Sequence, residues 1–155
     1  MKPIWGILMD AFFVAVLLWC SYTDLKSRTV SNLSVAMFLC LGLVNTVFVI
    51  ISGSTWWVYP AGMLLGIPFF IAWIKGGMGG GDVKLIMGIG LYLGLTNTLV
   101  SFALMLPVLI VCMIRSWRKN GTIESAIPFA PVIALGAGGV LLVGHAEMIL
   151  TYLFT

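Results

Sequence analysis

Apolar residues run along this chain in long blocks separated by short polar interruptions. A helix crossing the hydrocarbon core of a bilayer needs roughly 20 apolar residues. Blocks of that order cover Ile4 to Tyr22, Leu33 to Ile51, Trp57 to Ile74, Val83 to Leu95, Thr98 to Ile114 and Ile127 to Phe154, the fourth short and the last longer than a crossing requires. The pattern predicts an all-α membrane protein with six transmembrane helices in a single domain over residues 1–155, without a separate soluble or zinc-binding domain. The connections fall at Thr23 to Asn32, Ser52 to Trp56, Lys75 to Asp82, Thr96 to Asn97 and Arg115 to Ala126. Glycines at Gly62, Gly66, Gly136, Gly138 and Gly139 suit close helix packing, and Pro68 and Pro107 are expected to kink their spans.

Composition agrees with this reading and narrows it. The 155 residues are 61% hydrophobic and 8% charged, with a mean hydropathy of +1.15, whereas soluble domains carry roughly a quarter charged residues. This excludes a cytosolic enzyme, a secreted disulfide scaffold and a disordered chain. The net charge of +3 is too small and too scattered for nucleic-acid binding. Its distribution is more informative. With alternating spans, Lys26, Arg28, Lys75, Lys84, Arg115, Arg118 and Lys119 fall on one face and Lys2 on the other. The positive-inside rule puts the seven in the cytoplasm and the N-terminus outside, and Trp56, Trp57 and Tyr59 then mark the outer interface. The first span is too long for a signal-peptide core and has a basic flank after it, so it is expected to stay.

Five carboxylates occur: Asp10, Asp24, Asp82, Glu124 and Glu147. Asp24 follows the first span, and Asp82 ends the run Gly76-Gly-Met-Gly-Gly-Gly81, so alternation puts both at the cytoplasmic boundary. Two carboxylates at one depth can share a proton, which suits peptide hydrolysis: the ionised one takes a proton from water while the other donates to the carbonyl oxygen. The glycines permit positive φ and close backbone approach by an extended segment. At the head of a helix Asp82 would meet free amides, which favours it as the ionised partner. The plain structural alternatives are a solvated loop for Asp24 and an N-cap for Asp82. Asp10 lies fourteen positions before Asp24 on one predicted helix, about 21 Å away, and is expected in a polar contact near His145 and Glu147.

Other chemistries fit less well. The single histidine is remote from most polar loops, which disfavours a serine protease. Cys20, Cys40 and Cys112 stand singly, so a zinc site is not expected and they read as packing residues. With water as the nucleophile, neither a metal nor a cofactor is expected. A small proton-coupled transporter, or a non-catalytic membrane subunit of a secretion system, are the competing readings.

Three stretches resemble the type IV prepilin peptidases, aspartyl proteases within the wider Gly-x-Gly-Asp membrane class. Asp24-Leu-Lys-Ser-Arg-Thr-Val-Ser-Asn-Leu33 is similar to the first catalytic motif. Gly79-Gly-Gly-Asp82-Val-Lys84-Leu85 is similar to the second, and Ile127-Pro-Phe-Ala-Pro131 to the segment opening the last span. Ser31 stands where the family usually has proline, and Ala130 where it usually has glycine. Only Thr23 to Asn32 bridges the first two spans, so the chain resembles the compact branch found in tight-adherence pilus systems, and methylation is not implied.

The resemblance implies an aspartic endopeptidase in the bacterial inner membrane, with Asp24 and Asp82 catalytic. It would cleave the short basic leader of a prepilin-like substrate at the cytoplasmic face, commonly behind glycine. Gly79, Gly80, Gly81, Lys84, Lys26 and Arg28 are the supporting candidates, Lys84 as a partner for a substrate glutamate or as a group that tunes the aspartates. Snorkelling to anionic lipid headgroups is the alternative for each cation.

Overall fold

The computed structural model describes residues 4–27, 30–76, 79–120 and 129–154. Lys2, Arg28, Gly77, Glu124, Ile127 and Pro128 lie outside the described residues. The described chain is all-helical, in the order α1 (Ile4–Ser27), α2 (Asn32–Ile51), α3 (Val58–Leu64), α4 (Ile67–Ile74), α5 (Gly80–Asn120) and α6 (Phe129–Phe154). Among the described residues Trp5–Ser27, Asn32–Ile51 and Gly80–Cys112 are long and apolar enough to cross a membrane, and Val58–Ile74 and Phe129–His145 are shorter apolar segments.

The boundaries depart from the expected ones in three places, each for a local reason. The third apolar run is not one helix. Leu65 N–H and Gly66 N–H turn back to the carbonyls of Gly62 and Met63 at 3.2 and 3.0 Å, which tightens and ends α3. Pro68 then occupies the first turn of α4, where its missing N–H removes no helical bond, so it marks a helix start and not a kink.

The second departure concerns the connection expected at Thr96 to Asn97. The backbone instead leaves helical geometry at Gly94, with φ 78° and ψ 173°, inside the stretch assigned to α5. That φ lies in the region glycine adopts without a Cβ penalty. The polar residues just beyond it serve the break: Thr98 Oγ1 donates to the Gly94 carbonyl at 2.6 Å, and Asn97 Nδ2 donates to the Leu93 carbonyl at 3.1 Å. Pro107 sits within the helix, and the non-helical residue is Gly94. Third, Asp24 belongs to the last turn of α1, because that helix runs on to Ser27.

Helix α5 is the centre of the packing, in contact with α2, α3, α4 and α6, and α1 packs on α2 and α6. Phe13 of α1 joins it to the centre: its ring stacks on Tyr92 of α5 with centroids 4.1 Å apart and meets Phe38 of α2 edge-on at 5.3 Å. Leu17, Cys20, Leu85, Ile86, Ile89, Ile133 and Ala137 complete a buried core. Outward positions such as Leu18, Trp19, Ile51 and Leu142 are apolar and exposed, a surface that suits lipid.

Glycine sets how closely the helices approach. A Cβ added at Gly62 of α3 would meet the Gly90 carbonyl oxygen of α5, and one at Gly90 would meet the Gly62 carbonyl oxygen. The obstacle in both cases is backbone, which cannot swing aside. Gly90→Ala is therefore expected to push α3 off α5 and destabilise the fold by about 1–3 kcal/mol, seen as a lower unfolding temperature in detergent. Gly138→Ala, where a Cβ meets nothing within 4 Å, should leave that temperature unchanged. Equal unfolding temperatures for the two variants would contradict the close α3–α5 contact.

Candidate functional site

Asp24 is buried, 6% exposed, at the end of α1. A carboxylate withdrawn from water needs donors, and the backbone amide of Ala130, in the first turn of α6, donates to Asp24 Oδ2 at 3.0 Å. Cys20 lies one helical turn earlier on the same face, close to the Ser34 side chain. Ser34 belongs to the capped start of α2: Ser31 Oγ accepts from the Ser34 amide at 3.2 Å and lies 2.8 Å from Ser34 Oγ. Ser31 has φ −70° and ψ 142°, a conformation proline also adopts. Serine at this position therefore keeps the extended backbone and adds a side-chain cap.

Asp82 is half-buried in the first turn of α5. Its carboxyl lies close enough to Asp24 for the two charges to interact. The three glycines before it make room for three different side chains. A Cβ at Gly79 would come within 3.1 Å of Asp82 Oδ2, one at Gly80 within 2.9 Å of Trp73 Nε1, and one at Gly81 within 3.1 Å of Val30 Cβ. Gly80 and Gly81 are helical, and within the run the described positive φ is that of Gly76, at 77°. The glycines at Asp82 therefore act by close approach, bringing the α1–α2 connection and the end of α4 against the head of α5.

The sequence-derived candidates thus divide. Asp24, Asp82, Gly79, Gly80 and Gly81 meet at one end of the bundle. Lys26 and Lys84 are exposed near it, and Arg28 lies outside the described residues. Sequence reasoning did not find Val30, Trp73, Ser34 or the Ala130 amide. The Ser31-x-x-Ser34 spacing is a recognisable cap signal, whereas a backbone donor carries no residue-type signal at all. Among the described residues, no group of three or more His, Cys, Asp or Glu comes together as a metal cage.

A second polar cluster lies at the other end of α1. Tyr92 Oη donates to Asp10 Oδ1 at 2.6 Å, and His145 Nε2 lies 3.2 Å from Asp10 Oδ2. Asp10 is 6% exposed and lines a cavity of about 450 Å³ together with Trp5, Asn45, Phe48, Tyr59 and Tyr92. This cluster joins α1, α5 and α6, the polar contact expected for Asp10 near His145. Tyr92→Phe keeps the ring stacked on Phe13 but removes one donor from a buried carboxyl. It is expected to cost about 1–3 kcal/mol, measured as a drop in unfolding temperature in detergent. An unchanged temperature would contradict a structural role for this bond.

A model of the type IV leader peptidase family matches residues 11–116, more than half of the chain, and includes both Asp24 and Asp82. Neither a curated protein nor a solved structure matches the chain. The span of the family match, over a helical and largely apolar chain, establishes that this membrane protein belongs to the type IV leader peptidase family.

Proposed function

We propose that this protein is an aspartic endopeptidase that removes the short basic leader of prepilin-like precursors at the cytoplasmic face of the inner membrane, with Asp24 and Asp82 as its catalytic pair. The observation that carries this reading is that the fold brings a buried Asp24, at the end of α1, and a half-buried Asp82, at the head of α5, to one end of the bundle, within range for their charges to interact. Two carboxylates that approach each other closely are favoured when they hold one proton between them. The ionised member takes a proton from water as the water oxygen attacks the scissile carbonyl, and the protonated member donates to the carbonyl oxygen. Collapse of the tetrahedral intermediate breaks the C–N bond: the acid that took the proton from water passes it to the departing amine, and the proton on the former carbonyl oxygen returns to the other acid.

The proposed topology has six crossings with the N-terminus outside. It is supported by the non-helical residue Gly94 in the long apolar helix α5. The Phe102 ring, beyond the break, meets Phe69 of α4 with centroids 5.4 Å apart, while Met87, before it, packs on Gly66 at the head of α4. Both limbs of α5 thus contact the same short segment, as they would if the chain turned back at Gly94. A substrate helix would lie beside the bundle in lipid while its extended start reaches the aspartates. The exposed Lys26 and Lys84, with Arg28, would meet an acidic residue of that substrate or the lipid headgroups.

A proton-coupled transporter would need polar groups leading from one acid cluster to the other. Between Asp10 and Asp24 the inward side chains of α1 are Phe13, Val16, Leu17 and Cys20, all buried in the core. This apolar stretch favours hydrolysis over relay.

Asp24→Asn and Asp82→Asn, each expressed in membranes with a prepilin substrate, should both lose cleavage by at least about a hundredfold. Asp10→Asn should retain most activity. Cleavage at the wild-type rate by either of the first two, with normal membrane levels, would overturn the pair.

A further inference from the structure

We propose that the backbone amide of Ala130 is a positioning group that holds Asp24 as the ionised, water-activating member of the pair, leaving Asp82 to carry the shared proton. The inference rests on the aspartate-pair reading above and adds a division of labour that the residue types alone do not give.

Asp24 sits at the unfavourable end of its own helix. It lies in the last turn of α1, where the carbonyl end of the helix dipole disfavours a negative charge. Asp24 is also buried, so water contributes little to holding that charge. Asp82 occupies the first turn of its own helix, the favourable end. On helix polarity alone Asp82 would be the ionised partner, as expected from the sequence. The contact from α6 reverses this order. The first four amides of a helix have no partner within it, and the Ala130 amide is aimed at Asp24 Oδ2 from 3.0 Å.

Two features make this donor specific. Pro131, the next residue, has no N–H, so the first turn of α6 has fewer amides that could compete for Asp24. Ala130 is 1% exposed and is followed by the buried Val132, Ile133 and Ala137, which anchor the turn in the core. The amide therefore neither swings away nor is readily replaced by water. A donor fixed on one carboxylate oxygen stabilises the ionised acid and sets the rotation of the group. The other oxygen is left to accept a proton from the attacking water.

The discriminating experiment removes the N–H and keeps the side chain. Incorporation of lactic acid in place of alanine at position 130 turns that amide into an ester with the same side chain. With a prepilin substrate in detergent, kcat should fall roughly tenfold to a hundredfold, the size of one hydrogen bond to a charged group, while KM stays as in the wild type. Ala130→Pro, which also lacks the N–H and sits where helices tolerate proline, should show the same split. Ala130→Gly, which keeps the amide, should retain kcat.

Wild-type kcat in the ester protein, or a loss carried by KM alone, would overturn the proposal. Should the ester protein fail to fold, Ala130→Pro decides by the same criterion. Asp24→Asn assayed in parallel separates the two levels of the argument. Full activity in Asp24→Asn would remove the aspartate pair itself, whereas an inactive Asp24→Asn beside a fully active ester protein would remove only the positioning role.

Discussion

The two acids that α1 buries, Asp10 and Asp24, fix the register of the bundle. Neither can be left without donors in a low-dielectric interior, and each finds them on the same neighbour: Ala130 of α6 for Asp24, and His145 of α6 for Asp10. The acids are fourteen residues apart on α1 and their partners fifteen apart on α6. At 1.5 Å per residue those separations are about 21 and 22 Å, so two antiparallel helices satisfy both acids at once. A slip of one turn would leave both buried carboxyls without these contacts. The limb of α5 before Gly94 runs alongside, with Asp82 at the Asp24 end and Tyr92, which donates to Asp10, toward the other.

Apolar packing works within that register. Lipid offers little hydrophobic drive for helices to associate, so tight contact has to come from shape. Gly62 against Gly90, Gly42 against Leu91 and Gly88 against Phe38 let α3 and α2 seat directly on α5. Gly80 and Gly81 extend the same device to the site, where the indole of Trp73 and the side chain of Val30 take the space that side chains there would fill. The glycine-rich segment and the close-packed helix contacts thus follow one principle. Asp82 is hemmed in by neighbours that glycine admits.

Much of this was legible in the sequence, and what was missed follows a physical pattern. The blocks Ile4 to Tyr22 and Leu33 to Ile51 predicted α1 and α2 because a long apolar run has few alternatives to a helix. The break at Leu65 and Gly66 lies inside an equally apolar run, and a helix exposed to lipid shows no polar face to reveal where it stops. Thr96 and Asn97 looked like a loop because they are polar. Asn97 instead bonds a carbonyl beside the break and Thr98 the carbonyl of Gly94 itself, so the polarity marked a nearby break and was displaced from it by a few residues. Asp24 and Asp82 stood out because charge is scarce. The amide that distinguishes them did not, because every residue except proline carries one and only the fold decides where it points.

The contrast between the two ends of the bundle explains why one suits chemistry. A negative charge in an apolar protein is cheapest near a helix N-terminus, where unpaired amides already await an acceptor. At one end Asp10 meets a tyrosine hydroxyl and a histidine, groups that donate to it and leave the cluster satisfied. At the other end Asp24 meets a single amide and a second acid. In the proposed hydrolysis the amide keeps its proton, so the proton free to move is the one the two acids would share. A buried carboxyl satisfied by a hydroxyl and a histidine holds the fold together, whereas one set beside another acid can keep a transferable proton, and the latter arrangement suits the acid and base steps of the proposed hydrolysis.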